Sequence, residues 1–279
     1  MSQLFNPDSK HPYCYRYPHA AMTADCVIYG FDGESLKILL IERGMEPYKG
    51  MWGLPGGFMK IDETIEQTAS RELFEETGLK DVYLSQFKVF SSVDRDPRER
   101  VVTVAFIALV RPSDCQLLAD DDAATALWFD ENMLPPMAFD HVEIIRQARE
   151  HLSEILRVRP VAFELLNKVF SLSELQRVYE AVNRTTYDRR NFQRKALQSG
   201  MLSEVPDDNS NSVTLSCNCF AAAPLAENSE LLRLPDADES PKPRKAGRPA
   251  SKLFFFRKKK LTDQDTDESE GSTKDLFDF

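Results

Sequence analysis

Apolar positions recur along the chain with two periods, and the switches between them mark out its elements. Thr23 to Phe31 is almost wholly apolar, Asp32-Gly33 is a turn signal, and Leu36 to Arg43 repeats the pattern, which predicts a β-hairpin. Further strands are predicted at Val82–Phe90, Val101–Val110 and Ala126–Phe129, with the charged stretch Asp94 to Arg100 (DRDPRER) between the first two. Between the hairpin and these strands a spacing of four takes over. Ile65, Ala69 and Leu73 form a helical stripe that should face a core, opened by Asp62 and Glu63 and closed by Gly78. The glycine-rich passage Trp52 to Phe58 leads into that helix.

Helical spacing returns at Asp140-x-x-Glu143, read as a capping-box start for a helix through Leu156, with Val142, Ile145, Ala148/Arg149 and Leu152 along one side. This helix should bridge two domains, because Pro160 opens a different composition. Phe163, Leu166 and Phe170 repeat at three and four, and Ser171-x-x-Glu174 caps a helix carrying Leu175, Val178, Tyr179 and Val182. A third helix runs from Asp188 to Ser199, with Phe192, Ala196 and Leu197 expected inwards and Arg189, Arg190, Asn191, Gln193, Arg194 and Lys195 on the remaining faces. Three short helices ending in a basic one predict a helix-turn-helix. Leu253–Phe256, flanked by Arg244, Lys245, Arg248, Lys252 and the run Arg257–Lys260, then reads as its wing.

Composition sharpens this division. The 279 residues have room for two domains, and 42% apolar with 29% charged residues suit a globular chain. The net charge of −10 is unevenly spread: residues 1–150 hold 15 Lys and Arg against 25 Asp and Glu, 151–200 hold 9 against 5, and 242–260 hold 9 with no acid. The two basic segments fall on the predicted winged unit, which favours DNA phosphates as its partner. The five cysteines are odd in number and irregularly spaced, so they imply neither a disulfide framework nor a zinc site. No apolar run approaches 18 residues and the N-terminus has no signal-peptide core, so a cytoplasmic location without membrane attachment is expected.

The helix after Phe58 carries the chemistry. At 100° per residue Glu72 and Glu76 share the bearing of Ile65, while Glu75 lies about 60° to the side of Glu72. An apolar stripe that ends in an arc of carboxylates is unfavourable by itself, through like-charge repulsion and lost hydration. A divalent cation removes both penalties, and hard oxygen ligands select Mg²⁺ or Mn²⁺. From Gly57 the spacing G-x5-E-x7-R-E-U-x-E-E-x-G-U (U aliphatic) is matched at every position through Glu63, Arg71, Glu72, Glu75, Glu76, Gly78 and Leu79. This pattern is similar to the Nudix box. The resemblance implies an α/β/α sandwich and hydrolysis of a nucleoside diphosphate by metal-activated water. It implies Glu72, Glu75 and Glu76 as metal ligands and catalytic residues, Glu63 as a peripheral ligand or support, Arg71 as the group orienting a carboxylate, and Gly57 as the point where backbone meets the metal. Arg95, Arg98 and Arg100 are candidates for binding the diphosphate or ribose phosphate, and Phe58, Trp52 and Tyr48 for stacking on a ring.

A second resemblance covers the C-terminal half. The run PPMAFDHVEII…RPVAFELLNKVFSLSELQRVYEAVNRTTYDRRNFQRKALQSGML…GRPASKLFFF resembles the bacterial Nudix-related transcriptional regulators of NAD metabolism, their relatives that control sugar operons, and ADP-ribose pyrophosphatases sharing their winged helix. It implies an α+β chain, a Nudix sandwich followed by a winged helix-turn-helix. The ligand is then ADP-ribose-like, the macromolecular partner a double-stranded DNA operator and the assembly a homodimer, with Arg189, Arg190, Asn191, Arg194, Lys195, Arg248 and Lys252 facing the DNA. The expected organisation is a loose leader (1–20), a Nudix domain with its linking helix (21–157), a winged domain (158–202 and 244–258), a disordered insert (203–243) and a disordered acidic tail (259–279). Two function classes follow: a metal-dependent ADP-ribose-type pyrophosphatase, or a ligand-sensing regulator whose Nudix domain mainly binds the effector. The intact box favours retained hydrolysis, since a pure sensor has no need of inward carboxylates.

Overall fold

The structure, a computed structural model, describes residues 17–111, 126–205 and 252–256. Its centre is β1 (Ala21–Phe31), a strand buried along nearly its whole length. It pairs in parallel with β6 (Val101–Leu109). On its other edge its first half pairs with β4 (Gly56–Phe58) and its second half with β2 (Leu36–Glu42), both antiparallel. Beyond β2 lie β3 (Trp52–Gly53) and β7 (Ala126–Asp130), and beyond β6 the edge strand β5 (Tyr83–Phe90).

The period of two along β1 decides which layer each residue serves. Ala24, Cys26 and Ile28 join Ala69 and Leu73 of α1 (Ile65–Thr77) in one core cluster. Val27, Tyr29 and Phe31 join Ile144, Ile145, Ala148 and Leu152 of α2 (His141–Val158) in the other. The sheet is thus covered on both faces, which is why its strands read as continuous apolar runs. Thr23 and Asp25 belong to the α2 side by the same alternation, and that places them in the site described below.

The cluster under α2 continues without a break into the second half through Phe163, Leu165, Phe170, Leu175, Tyr179, Phe192 and Phe254. There α3 (Leu172–Asn183) and α4 (Arg189–Gln198) form the helix-turn-helix. A three-stranded sheet of β8 (Phe170–Ser171), β10 (Leu253–Phe256) and β9 (Leu202–Glu204) forms the wing. Ser171 caps α3 in a two-way capping box with Glu174, as its spacing predicts.

Several expectations need correction. Helix α1 opens at Thr64, whose hydroxyl accepts from the Gln67 N–H, because Thr64 and Gln67 complete a capping box that Asp62 and Glu63 do not. Asp140 precedes α2 without capping it, since its carboxylate is taken by Arg95. Val142 faces solvent and Ile144 takes its place in the stripe. Leu197 is exposed, leaving Phe192 and Ala196 as the buried positions of α4. The first of the three short helices is a single 3-10 turn, Val161–Leu165, and Phe170 belongs to a wing strand. Ser203 and Glu204 are paired in β9 with Phe255 and Phe254, so the expected insert begins after them. The rest of that insert, the acidic tail, residues 1–16 of the leader, and Arg244, Lys245, Arg248 and Arg257–Lys260 lie outside the described residues.

Candidate active site and nucleic-acid interface

The helical arithmetic of α1 separates its three glutamates. Glu72 and Glu76 are half-buried, while the Glu75 side chain, turned to the side, is 52% exposed. Arg71 binds Glu63, Glu72 and Glu75. Its Nε and Nη2 lie 2.6 and 2.9 Å from the two oxygens of Glu63, and its Nη1 lies 2.6 Å from Glu72 and 3.0 Å from Glu75. Nη2 also donates to the Phe58 carbonyl at 3.2 Å, joining the helix to β4. These bonds hold the Glu63 carboxyl down at about 2. Glu63 therefore buttresses Arg71, and Arg71 orients Glu72 and Glu75.

Gly57 allows the Glu72 carboxylate to pack on the backbone: a Cβ at this position would stand 2.4 Å from Oε1. Next to it, the Gly56 N–H donates to Glu76 Oε2 at 2.8 Å. Burial, with the nearby charges of Glu72 and Asp25, pushes the Glu76 carboxyl up to about 8 against the pull of that N–H. Among the described residues no three of His, Cys, Asp and Glu form a ready ligand cluster, since Glu72 and Glu75 are turned to Arg71. The chemistry of the donors nevertheless fits a hard divalent cation. The carboxylates of Glu72, Glu75 and Glu76 lie on one helix end beside the Gly56–Gly57 backbone, and hard oxygen donors of this kind suit such an ion.

A cavity of about 200 Å³ lies between this corner and the start of α2. Its lining brings Asp25, Glu76, Gly56 and Gly57 together with Arg43, Arg95 and Arg98. The three arginines of the DRDPRER loop have separate fates. Arg95 is buried, bidentate on Asp140 at 2.8 and 3.0 Å and 3.3 Å from Asp25 Oδ2, so it fixes the floor. Arg98 reaches into the cavity, steadied by Asp96 at 2.7 and 3.0 Å. Arg100 stands apart from the cavity lining, its Nη atoms on the carbonyls of Ser91 and Ser92. Phe58 lines the cavity. Trp52 packs edge-on against Phe129, and Tyr48 edge-on against Phe139.

Sequence reading missed Asp25, Arg43, Phe139 and His141, all of which line the cavity. Asp25 left a signal, a lone carboxylate inside an apolar strand. His141 left none. Its Nδ1 accepts from the Leu54 N–H at 2.9 Å, which leaves the proton on Nε2, 3.9 Å from Asp25 Oδ2. Burial lowers its pKa and keeps it neutral at pH 7. Arg43 ends the hairpin and forms no ion pair among the described residues. Its charge is disfavoured by burial and by Arg98.

In the winged half, Arg189, Arg190 and Arg194 are exposed on α4, while Asn191 and Lys195 are half-buried. Asp188 caps the helix, and Asn191 accepts from Arg194 at 2.6 Å. Lys252, at the foot of the wing strand, pairs with Glu204 at 2.6 Å. Arg189, Arg190, Arg194 and Lys195 thus give α4 a basic surface.

Residues 19–148 match the NUDIX domain family and residues 162–213 the NrtR DNA-binding winged helix domain. The chain is 32% identical over 192 residues to the ADPR responsive transcriptional repressor NtrR of Acinetobacter baylyi, covering 68% of this chain and 77% of that one. It is 45% identical over 130 residues to an ADP-ribose pyrophosphatase of Methanocaldococcus jannaschii, covering 47% and 73%. In fold it is similar to the crystal structure of Shewanella oneidensis NrtR, with a TM-score of 0.60 and 34% identity over 66% of this chain and 87% of that one. The same protein complexed with a 27mer DNA gives a TM-score of 0.59 at 32% identity over 68% and 90%. From the two domains, their order and this extent of identity, the chain belongs to the family of Nudix proteins that carry an NrtR-type winged helix.

Proposed function

We propose that this protein hydrolyses the diphosphate linkage of an ADP-ribose-type nucleotide with Mg²⁺ or Mn²⁺, and that its winged half binds a DNA operator. The observation that carries the reading is one cavity that gathers Asp25, Glu76, Gly56 and Gly57 with Arg43 and Arg98. Two adjacent phosphates beside those carboxylates need more positive charge than the arginines supply. Glu72, Glu75 and Glu76 would hold the cation, with Glu63 and Arg71 supporting them and Gly57 giving access to backbone. A bound divalent cation supplies charge neutralisation and an acidified water. Arg43 and Arg98 orient the diphosphate, and Asp25 is the carboxylate placed to take a proton from water.

The test is incubation of the full chain with ADP-ribose and Mg²⁺ or Mn²⁺, with AMP release followed by chromatography. Glu75→Gln and Glu76→Gln should each abolish release while circular dichroism stays native. A wild type that turns over no nucleoside diphosphate overturns the enzyme reading.

A second reading, a nucleotide-responsive regulator of NAD or sugar metabolism, has its own support in the exposed arginines of α4 and the likeness to a DNA-bound relative. The two readings coexist if hydrolysis removes the effector. The protein works in the cytoplasm as a homodimer whose paired helices reach two half-sites. Its Nudix domain with the linking helix spans 21–157, and the winged domain starts at 158. A salt-insensitive or absent shift of its own promoter fragment in gel electrophoresis overturns this second reading.

A further inference from the structure

Two oxygens on one face of β1 line the cavity without hydrogen-bond partners. Thr23 and Asp25 are two residues apart, so the strand's alternation turns both side chains to the α2 side. Thr23 is only 7% exposed, and its Oγ1 has no hydrogen-bond partner among the described residues. Asp25 is equally buried, and its two oxygens have different surroundings. Oδ2 accepts from Arg95 Nη2 at 3.3 Å, with His141 Nε2 at 3.9 Å, whereas Oδ1 accepts no hydrogen bond among the described residues. Gly56 keeps the space beside Oδ1 open, since a Cβ there would stand 2.9 Å from it.

The strands on either side of Thr23 leave its hydroxyl to a third party. On β4 its neighbour is Phe58, which has no polar side-chain atom. On β6 its neighbour is Thr103, whose hydroxyl is spent on the Thr23 carbonyl at 3.1 Å. Buried polar atoms are nearly always paired, and where the protein provides no partner, water or a ligand does. Residues i and i+2 of a strand lie about 6.7 Å apart at Cα, and one water spans about 5.6 Å between two oxygens that it bonds. With the reach of the two side chains, a single water bridges Thr23 Oγ1 and Asp25 Oδ1 and satisfies both.

Resting on the hydrolase reading, we infer that Thr23 and Asp25 hold the attacking water between them, Thr23 orienting it and Asp25 Oδ1 taking its proton. The water oxygen bonds to one phosphorus of the diphosphate as the bond from that phosphorus to the bridging oxygen breaks. One water proton passes to Asp25, and the other stays on the oxygen that now belongs to the attacked phosphate. The bridging oxygen leaves on the second phosphate with the electron pair of the broken bond. From ADP-ribose the products are AMP and ribose 5-phosphate, and Asp25 then returns its proton to solvent. Arg95, itself held by Asp140, is a positioning residue: it fixes Oδ2 and so leaves Oδ1 as the oxygen turned to the water.

Turnover of ADP-ribose with Mg²⁺ by the full chain, beside thermal melts and calorimetry of ADP-ribose with Ca²⁺, tests this on Thr23→Val, Thr23→Ser and Thr23→Ala. Thr23→Val keeps the shape and deletes the hydroxyl. It should lower kcat by about 10- to 100-fold with KM within about twofold, because the lost bond acts on the water and not on the substrate. Thr23→Ser should recover kcat to within about threefold, since it keeps the hydroxyl. Melting of Thr23→Val should be no lower than that of the wild type, because the deleted hydroxyl bonds no protein group. Affinity for ADP-ribose with Ca²⁺ should be the same in all three variants. If the wild type is active and Thr23→Val keeps its kcat, any water at Thr23 is structural, the inference falls and the hydrolase reading stands. A raised KM or a weakened Ca²⁺-dependent affinity would place the hydroxyl on the substrate and overturn the inference as well. Should Thr23→Val not fold, Thr23→Ala against Thr23→Ser decides by the same criteria. A wild type without turnover removes the hydrolase reading and this inference with it.

Discussion

Arg149 of α2 joins Glu131, just after β7, to the end of α3, and so ties the catalytic half to the helix-turn-helix. Its Nε lies 2.6 Å from Glu131 Oε1, with Nη2 against Oε2, while Nη1 and Nη2 reach the carbonyls of Val182 and Ala181 at 3.4 and 3.3 Å. Those carbonyls belong to the last turn of α3, where a cation also meets the negative end of the helix dipole. Ser153 adds a 2.6 Å bond to Asn183, and Arg184 reaches Asn132 at 3.1 Å.

The Arg149 and Glu131 side chains are 12% and 4% exposed, so removing one partner strands a buried charge. Arg149→Met should cost about 3 kcal/mol in urea unfolding. The double variant with Glu131→Gln should lose less than the two single losses added together. Additive losses would show that the two groups do not interact.

Gly56 and Gly57 should fail differently when given a methyl group. At Gly57 the new Cβ meets a movable carboxylate, Glu72, so Gly57→Ala should keep the fold and lower metal-dependent turnover by about 10²-fold. At Gly56 the Cβ would be 2.2 Å from the Ala24 carbonyl, which the β1–β4 ladder holds in place. Gly56→Ala should destabilise the protein by roughly 1–3 kcal/mol. Thermal melts beside turnover assays separate the two outcomes.

On α4, Arg190→Ala and Arg194→Ala should each weaken binding to a promoter fragment. If each contacts one phosphate, the slope of log affinity against log salt should fall by about 0.9 per variant. Fluorescence anisotropy at several salt concentrations measures this, and an unchanged slope with weaker binding would point to base contacts.

Asp130 gives the fold an acid limit. Its carboxylate accepts from the Asn132 N–H at 2.9 Å, from Ser35 Oγ at 2.7 Å and from Lys37 Nζ at 3.0 Å. Against the opposing effect of burial, these bonds lower its pKa from 3.8 to about 2. A depressed folded-state value stabilises the protein above the unfolded pKa, so this contribution is whole above about pH 4 and lost as pH falls through about 2. Asp130→Asn should flatten the dependence of stability on pH across that window, as read by denaturant unfolding.

The long strands β1, β2, β5, β6 and β7, the acidic helix, the box and the helix-turn-helix with β10 were legible from periodicity and spacing, whereas the short strands β3, β4, β8 and β9 were not, because only tertiary pairing defines them. The same arithmetic along α1 foretold that Glu75 would diverge from Glu72 and Glu76. Side-chain partnerships between distant segments were not legible. Asp140 had the spacing of a cap and became the partner of Arg95, 45 residues away in sequence, because a buried guanidinium outcompetes a backbone N–H for a carboxylate. Asp25, Arg43, Phe139 and His141 come to one cavity only because β1, β2 and the start of α2 meet there. The sequence by itself determined the elements and the chemistry of the box. Tertiary structure alone decided which charges face one another, since burial and distance set that and neither is local.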